Sequence, residues 1–358
     1  MKILLVGPYP PPHGGVSVHV AGLRRRLEGA GIACRVANID PRAPASGEYL
    51  SVRDARGLVA VLWRHARQGW LLHLHANGHN PKSWQMALVC GLAGRLGGGA
   101  LLTLHSGMAP AYLRGAGFGR RLPARAAARM YHGIVAVNSE IREALVSLGV
   151  EREKVEMLPA FLAPQGTDFA LPAPLADKLA GRRPLLAVTL FFRPEYGFDV
   201  LVEALGRLRR RYPQLGCAVM GGGEQEPEAK ALLKREGLED AVLLLGDMPH
   251  EMCLAVMARA DVFVRPSRAD GDAVSVREAL ALGTPVVASR VGARPDGVLL
   301  FEPGNARQLA GTLDAALQRR ADGSRPAAGG GDAAFARLLE LYARVAGAEP
   351  ARLAALPL

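Results

Sequence analysis

The amino-acid sequence predicts an α/β protein built from two doubly wound domains. Three observations carry that expectation: the length, an alternation of short strand-like runs with longer helical patterns, and a proline-rich break near the middle. At 358 residues the chain can supply two domains of ordinary size, each with its own core. Hydrophobic residues make up 49% and charged residues 22%, which suits a folded chain and not a disordered one. In the first domain, Ile3 to Val6, Leu71 to His75, Leu101 to His105 and Ile134 to Val137 read as strands, with Val16 to Leu27 and Ser83 to Leu96 among the helical stretches between them. Apolar runs of this length separated by helices indicate a parallel sheet covered on both faces. A second series follows with Leu185 to Leu190, Cys217 to Met220, Val242 to Leu245, Val262 to Val264 and Pro285 to Ala288. Between the two series, Pro159 to Pro184 carries five prolines and reads as the hinge. Asp322 to Asp332, rich in Gly, Ala and Pro, reads as a loop, and Ala333 to Ala346 as a helix. The domains are therefore expected at 1–165 and 182–330, followed by a C-terminal helix within 331–358.

Several classes of function are disfavoured. The apolar run at the start, Ile3 to Val6, is too short for the core of a signal peptide, and no run of 18 apolar residues suggests a membrane span. The four cysteines, Cys34, Cys90, Cys217 and Cys253, have no paired spacing for zinc or redox chemistry and are expected to be core thiols of a cytoplasmic protein. The net charge of +11 is divided unequally: residues 1–165 hold 20 Lys and Arg against 9 Asp and Glu, and the rest holds 24 of each. Arginine dominates over lysine, as a GC-rich genome would produce, but that does not account for the scarcity of acids in the first half. A basic face there would suit an anionic membrane surface, a lipid-linked phosphate or an acidic glycan. The cluster Arg114, Arg120, Arg121, Arg125 and Arg129, beside Tyr112, Leu113, Phe118 and Leu122, is a candidate for it, with a solvated helix face as the alternative. No nucleic-acid partner is expected, since no basic and aromatic recognition motif accompanies the charge.

In open parallel sheets ligands bind outside the carboxyl ends of the strands, so the loops there hold the candidate residues. Gly14 and Gly15, after the first strand, would let backbone approach a bound group at a helix N-terminus, or would serve turn geometry alone. Their spacing is not the dinucleotide fingerprint, which removes the main support for a nicotinamide-dependent oxidoreductase. His105, and with less reason His75, ends an apolar strand, where it can donate to a ligand oxygen or be satisfied within the core. Arg265 to Ala288 carries the most information. A helix from about Ala273 to Leu282 would be apolar nearly all round, with Glu278 as its exception. A buried carboxylate needs several donors: ribose hydroxyls supply them, and so would a pairing with Arg277 or Arg290.

Asp270, seven residues and Glu278, followed by Ala279-Leu280-Ala281-Leu282-Gly283-Thr284-Pro285-Val286-Val287-Ala288-Ser289, resemble the signature of retaining glycosyltransferase family 4. Further pieces match in order: Gly14-Gly15, Thr103-x-His105-x-Gly107, Val135 to Ser139, Val155 to Pro159, Gly221-Gly222-Gly223, Ala260 to Ser267 and Phe301 to Asn305. The resemblance implies a GT-B fold, in which two Rossmann-like domains face each other across a cleft and a C-terminal helix packs back on the first. It implies retaining transfer of a sugar from a nucleoside diphosphate sugar to a glycan or lipid-linked acceptor, in cell-surface polysaccharide assembly. By the same resemblance Glu278 holds the donor ribose, while Asp270 and the backbone of Gly271, Asp272, Ala273, Val274 and Ser275 meet the sugar and diphosphate. Gly14, Gly15, Gly221, Gly222 and Gly223 line the nucleotide channel, and His105 sits beside the donor sugar. Neither a metal nor another cofactor is expected.

Three departures stand out. Asp270 occupies the usual place of a glutamate, and Asp272 that of an aromatic residue. The basic pair that neutralises the leaving diphosphate in the family appears as Phe191 and Tyr196, with Arg193 as the nearest substitute. Those two positions keep open a non-catalytic nucleotide-sugar-binding subunit, and the fold keeps open another GT-B enzyme such as a sugar-nucleotide epimerase.

Overall fold

The computed structural model describes residues 1–115, 118–160, 169–321 and 331–347. The chain forms two compact units, one of Met1–Leu162 with Gly330–Leu358 and one of Ala163–Gly329.

The first unit runs β1 (Lys2–Gly7), α1 (Gly15–Gly29), β2 (Ala33–Asn38), β3 (Leu50–Ser51), α2 (Ala55–Arg67), β4 (Leu71–Ala76), α3 (Pro81–Arg95), β5 (Ala100–Leu104), α4 (Ala109–Arg114), α5 (Phe118–Met130), β6 (Gly133–Ala136), α6 (Ser139–Ser147) and β7 (Val155–Met157). Its strands form one parallel sheet in the order β3-β2-β1-β4-β5-β6-β7. Alternate residues of each strand feed opposite faces, as strand geometry requires. Leu4, Val6, Leu72, Leu74, Leu102 and Leu104 pack under α2, α3 and α5, whereas Ile3, Leu5, Leu71 and Leu101 pack under α1. Side-chain caps fix where several of these helices begin: Asp54 accepts from the Gly57 amide at 2.7 Å, Asn80 from Ser83 at 2.9 Å and Asn138 from Ile141 at 2.8 Å. Such a cap stabilises a helix by about 1 kcal/mol.

The second unit runs α7 (Ala173–Leu179), β8 (Leu185–Thr189), α8 (Phe198–Leu208), β9 (Gly216–Met220), α9 (Glu226–Arg235), β10 (Val242–Gly246), α10 (His250–Arg259), β11 (Val262–Arg265), α11 (Val274–Ala281), β12 (Val286–Ser289), β13 (Leu299–Phe301) and α12 (Ala306–Ala321). The order β10-β9-β8-β11-β12-β13 is again parallel throughout. Every strand expected from the sequence is present to within a residue or two. The sequence reading missed β2, β3, β7 and β13, which are short or carry polar residues such as Arg35 and Asn38. The proposed hinge falls partly on residues outside the described set, and its later part contains α7. The loop expected at Asp322 to Asp332 lies outside the described residues up to 330.

The last helix, α13 (Gly331–Ala346), returns to the first unit and covers the face that also holds α1, with Phe335, Leu338, Leu339 and Tyr342 in that core. Tyr342 reaches a group of buried histidines. Its hydroxyl lies 2.6 Å from Nδ1 of His73, whose Nε2 lies 2.7 Å from Oγ1 of Thr103. The His73 and His75 rings are 4.1 Å apart, and His19 on α1 packs 5.3 Å from His75. Burial pushes the His19 imidazole down to about 4, and burial with the neighbouring histidines pushes His73, His75 and His105 well below the usual 6.5. The folded unit therefore holds these rings neutral.

Because the folded pKa lies below the unfolded one, the chain takes up protons on unfolding as the pH drops below 6.5. Stability is thus complete above that value and declines toward pH 4, His19 alone accounting for about 3 kcal/mol. We expect His19→Gln to flatten the fall in melting temperature on acidification. Parallel curves for variant and wild type would show that His19 is not held neutral.

Candidate functional site

Each sheet winds outward from its first strand in two directions, which opens a crevice at the carboxyl ends where the directions part. In the second unit that point lies between β8 and β11. The loops after these strands are tied together: the Arg268 amide donates to the Glu195 carbonyl at 2.7 Å. A side chain at Gly197, whose φ is +69°, would place its Cβ 2.1 Å from the Pro266 carbonyl oxygen. The β9 loop closes on the same place. Gly221 has φ +120° and a Cβ there would meet the Leu190 carbonyl oxygen at 2.0 Å, while the Gly222 carbonyl accepts from the Phe192 amide at 3.0 Å. Backbone packing alone accounts for glycine at 221, so its identity does not by itself require a ligand.

From this crevice α11 starts after its N-cap Ala273, with no side chain capping its first-turn amides; the Val276 amide turns back to the Ala273 carbonyl at 3.0 Å, and those before it have no acceptor four residues back. They give the crevice a partial positive charge. One turn on, Glu278 is 4% exposed. Its Oε1 lies 2.6 Å from Nε2 of His250, at the start of α10. Neither arginine weighed as its partner takes that place, since Arg277 binds Asp272 and Arg290 binds Glu302. An ionised carboxylate has room for several donors, so His250 still leaves Glu278 with capacity to accept from a ligand.

Largely buried arginine side chains surround the start of α11, with exposures of 11% at Arg265, 5% at Arg294 and 20% at Arg277. Arg265, at the end of β11, donates through Nε to Oδ2 of Asp270 at 2.8 Å and through Nη1 to the Thr189 carbonyl at 2.8 Å. Its guanidinium carbon lies 4.9 Å from the centre of the Tyr196 ring. Arg294 donates to the same Asp270 oxygen at 3.2 Å and to the Ser289 carbonyl at 3.0 Å. Arg277 holds both oxygens of Asp272 at 2.7 and 2.9 Å. Burial works to raise the pKa of Asp270, but Arg265 and Arg294 outweigh it and the carboxyl is held below its ordinary value. Burial prevails at Asp272 and raises it, despite Arg277. Burial and the like charge of Arg265 lower Arg294 against the pull of Asp270. Three guanidinium groups thus face two carboxylates. A surplus positive charge in a place this dry is costly to leave unmatched, and an anion at the α11 N-terminus would match it.

The structure brings Gly221, Gly222, Gly223, Arg193, Asp270, Gly271, Asp272, Ala273, Val274, Ser275 and Glu278 to the carboxyl ends of β8, β9 and β11. Arg193 is exposed, its guanidinium 5.9 Å from the Phe191 ring. Asp270 and Asp272 are both engaged by arginines. In the first unit, Gly14 is the N-cap of α1 and its amide donates to Ser17 Oγ at 2.8 Å, while a Cβ at Gly15 would meet nothing within 4 Å. His105 Nε2 lies 3.1 Å from His75 Nδ1, and its ring is 5.5 Å from that of His19 on α1. The reversal between β1 and β4 therefore gathers the Gly14-Gly15 helix start and His105. Sequence reasoning missed His250, Arg265, Arg294, His19 and His73. Arg265 had a legible signal, a charge ending an otherwise apolar strand, but His250 starts another helix and Arg294 lies in the loop after β12, and no local pattern marks either. Among the described residues no group of three or more His, Cys, Asp or Glu side chains is arranged to hold a metal ion.

The comparisons with known proteins fit this arrangement. The chain is 34% identical over 151 residues to the GDP-mannose-dependent alpha-(1-6)-phosphatidylinositol monomannoside mannosyltransferase of Mycolicibacterium smegmatis, covering 38% of this chain and 40% of that one. It is 29% identical over 190 residues to the amylovoran biosynthesis glycosyltransferase AmsK of Erwinia amylovora, covering 50% and 46%. The matches thus span less than half the length of these curated relatives. Among solved structures, Anabaena HepE in complex with UDP-glucose superposes with a TM-score of 0.71 at 17% identity, covering 97% of this chain and 99% of that one. Sucrose-phosphate synthase of Thermosynechococcus elongatus gives 0.68 at 20%, covering 98% and 100%. These likenesses establish the fold as GT-B. Residues 13–164 match the family described as Glycosyltransferase Family 4, and residues 178–328 match Glycosyl transferases group 1. The chain belongs to the family 4, group 1 glycosyltransferases.

Proposed function

We propose that the protein transfers a sugar from a nucleoside diphosphate sugar to a glycan or lipid-linked acceptor, with retention at the anomeric carbon, in the assembly of cell-surface polysaccharide or glycolipid. The observation that carries this reading is the surplus of buried guanidinium charge at the α11 N-terminus, one turn before buried Glu278. A nucleoside diphosphate has the complementary form, two phosphates for the charge and ribose hydroxyls for the carboxylate. The relatives support the substrate class: that of M. smegmatis uses GDP-mannose and a phosphatidylinositol mannoside, and HepE is bound to UDP-glucose.

Charge develops on the diphosphate as the bond to the sugar breaks. Fixed amides and guanidinium groups that need not reorganise stabilise it. Arg265 lies against Tyr196, one of the two positions where the family's basic pair is missing, and with Arg294 it supplies the positive field from a neighbouring loop. This makes the non-catalytic reading unnecessary. No resident metal is then required to neutralise the leaving group. Asp270 and Asp272, both held by arginines, are poor nucleophiles, which favours displacement on the same face of the sugar over a covalent intermediate. The place of work is the cytoplasmic side of an anionic membrane, with the protein held peripherally; no helix of the described residues is long and apolar enough to cross one.

Glu278→Gln should weaken binding of the cognate nucleoside diphosphate by about 1.5 to 3 kcal/mol, the value of a hydrogen bond to a charged group, while the fold survives. Calorimetry with UDP, GDP and ADP tests this, and unchanged affinity would refute the ribose assignment.

Three variants separate the candidate cations. Arg265→Met should lower turnover by about a hundredfold, as removal of a preorganised donor does, whereas Arg193→Ala should stay within about threefold of wild type. Asp270→Asn removes the carboxylate that competes for Arg265 and Arg294, so affinity for the diphosphate should hold or rise. A fall in that affinity, with turnover intact in Arg265→Met, would return Asp270 to contact with the sugar and Arg193 to the diphosphate.

A further inference from the structure

The first unit has an outer surface that the nucleotide-sugar reading does not use. Helices α2, α3 and α5 lie side by side over one face of its sheet, α3 packed between the other two. Between Asp54 and Glu140 the chain has ten Lys and Arg and no Asp or Glu, and that stretch supplies all three helices. The outer side of the layer therefore has only one sign of charge. It is also apolar in places where a surface helix would ordinarily be polar. Among the described residues seven large apolar side chains stand exposed, and five of them, Val59, Trp63, Leu92, Leu96 and Leu122, belong to this layer.

On α2 the arrangement is regular. Arg56, Val59, Ala60, Trp63 and Arg67 follow one another at helical spacing, with Trp63 at 47% and Val59 at 49% exposure, and the first four of them border a shallow groove with Ala55. On α3, Leu92 and Leu96 are one turn apart with Arg95 beside them, and on α5 Leu122 stands among Arg121, Arg125 and Arg129. Part of the cluster picked out in the sequence faces inward instead: Leu113 is buried and Tyr112 half-buried against the core. The side chains of Phe118 and Arg120 lie outside the described residues.

We infer that this α2–α3–α5 face docks on an anionic lipid surface, with Trp63, Val59 and the leucines entering the interface and the arginines lying among the headgroup phosphates. The inference rests on the membrane partner proposed above and names the surface that meets it. A tryptophan with its ring half in and half out, aliphatic neighbours and flanking arginines suit the boundary between headgroup and acyl chain. Each arginine near such a surface adds to the attraction until salt screens it. A nucleic acid would use the arginines but gives exposed leucine and valine nothing to bury against. The centre of a protein interface is depleted in charge, whereas here charged and apolar side chains alternate.

Trp70 and Trp84 are buried, so a change in tryptophan emission on adding vesicles reports Trp63. The full chain should sediment with vesicles of phosphatidylcholine mixed with phosphatidylglycerol and not with phosphatidylcholine alone. High salt should release it, and its emission should shift to the blue on binding. The pair Val59→Asn with Trp63→Gln should weaken partition by about tenfold, as loss of two half-exposed apolar groups would, and leave the melting temperature unchanged. Vesicle binding without a shift in emission, equal binding by the double variant, indifference to lipid charge, or a preference for single-stranded DNA over vesicles would each overturn the assignment. The rise in melting temperature with UDP, GDP or ADP, measured on the same samples, reports the donor site in the other unit. Its absence counts against the nucleotide-sugar reading, and its presence beside failed vesicle binding counts against this surface alone.

Discussion

A parallel sheet that winds outward from its first strand must send its crossover helices to opposite faces on the two sides of that strand, and where they part nothing covers the carboxyl ends. This constraint operates twice in the protein. In the second unit it leaves open the ends of β8 and β11 and brings the loops after β8, β9 and β11 together so closely that Gly197 and Gly221 cannot carry a side chain. In the first unit it leaves open the ends of β1 and β4, where α1 and the strand-end histidines meet. The remaining features of either candidate site are a choice of which side chains to place at an opening that the topology already provides.

At the second opening that choice is unusual. Asp270 carries two guanidinium groups where one would balance it, so the carboxylate orients Arg265 and Arg294 without cancelling them. Burying an ion pair is seldom stabilising in itself, and burying an excess charge is worse. The arrangement becomes reasonable when an anion completes it, because stability is then exchanged for a site already organised to receive negative charge. The Tyr196 ring under Arg265 contributes a further, weaker attraction for the cation.

How much of this could be read from the sequence depended on whether the signal was local. The strands and helices were legible because apolar periodicity is a property of neighbouring residues, and the motif around Glu278 because its spacing is held within one strand, loop and helix. The edge strands β3, β7 and β13 were not, and neither was β2 beside an edge, since all four are short or carry polar residues in place of a continuous apolar run. Glu278 could be singled out as a buried charge, but its partner could not be named: His250 lies 28 residues away on another helix, and the nearby arginines offered a plausible and incorrect answer. Arg193 was favoured for the same reason, as the nearest cation in the chain. The cation proposed in its place is Arg265, at the end of β11.

The two units use positive charge in different physical regimes. Around Asp270 the guanidinium groups are dry and fixed by carbonyl and carboxylate acceptors, so their field on a ligand is strong, short in range and little affected by salt. On the α2–α3–α5 face the arginines are solvated and outnumber any acid nearby. Their field is weak for each group, additive over many, and lost beyond a Debye length. The first regime can choose among ligands by geometry; the second can only hold the protein near an anionic surface. Keeping them in separate units would keep the outer charge from drawing the proposed anionic donor to unproductive places, since a solvated arginine has little affinity for one diphosphate. The balance of 24 basic and 24 acidic residues in the later part of the chain has the same consequence, because it leaves the buried surplus as the main attraction for an anion in that unit.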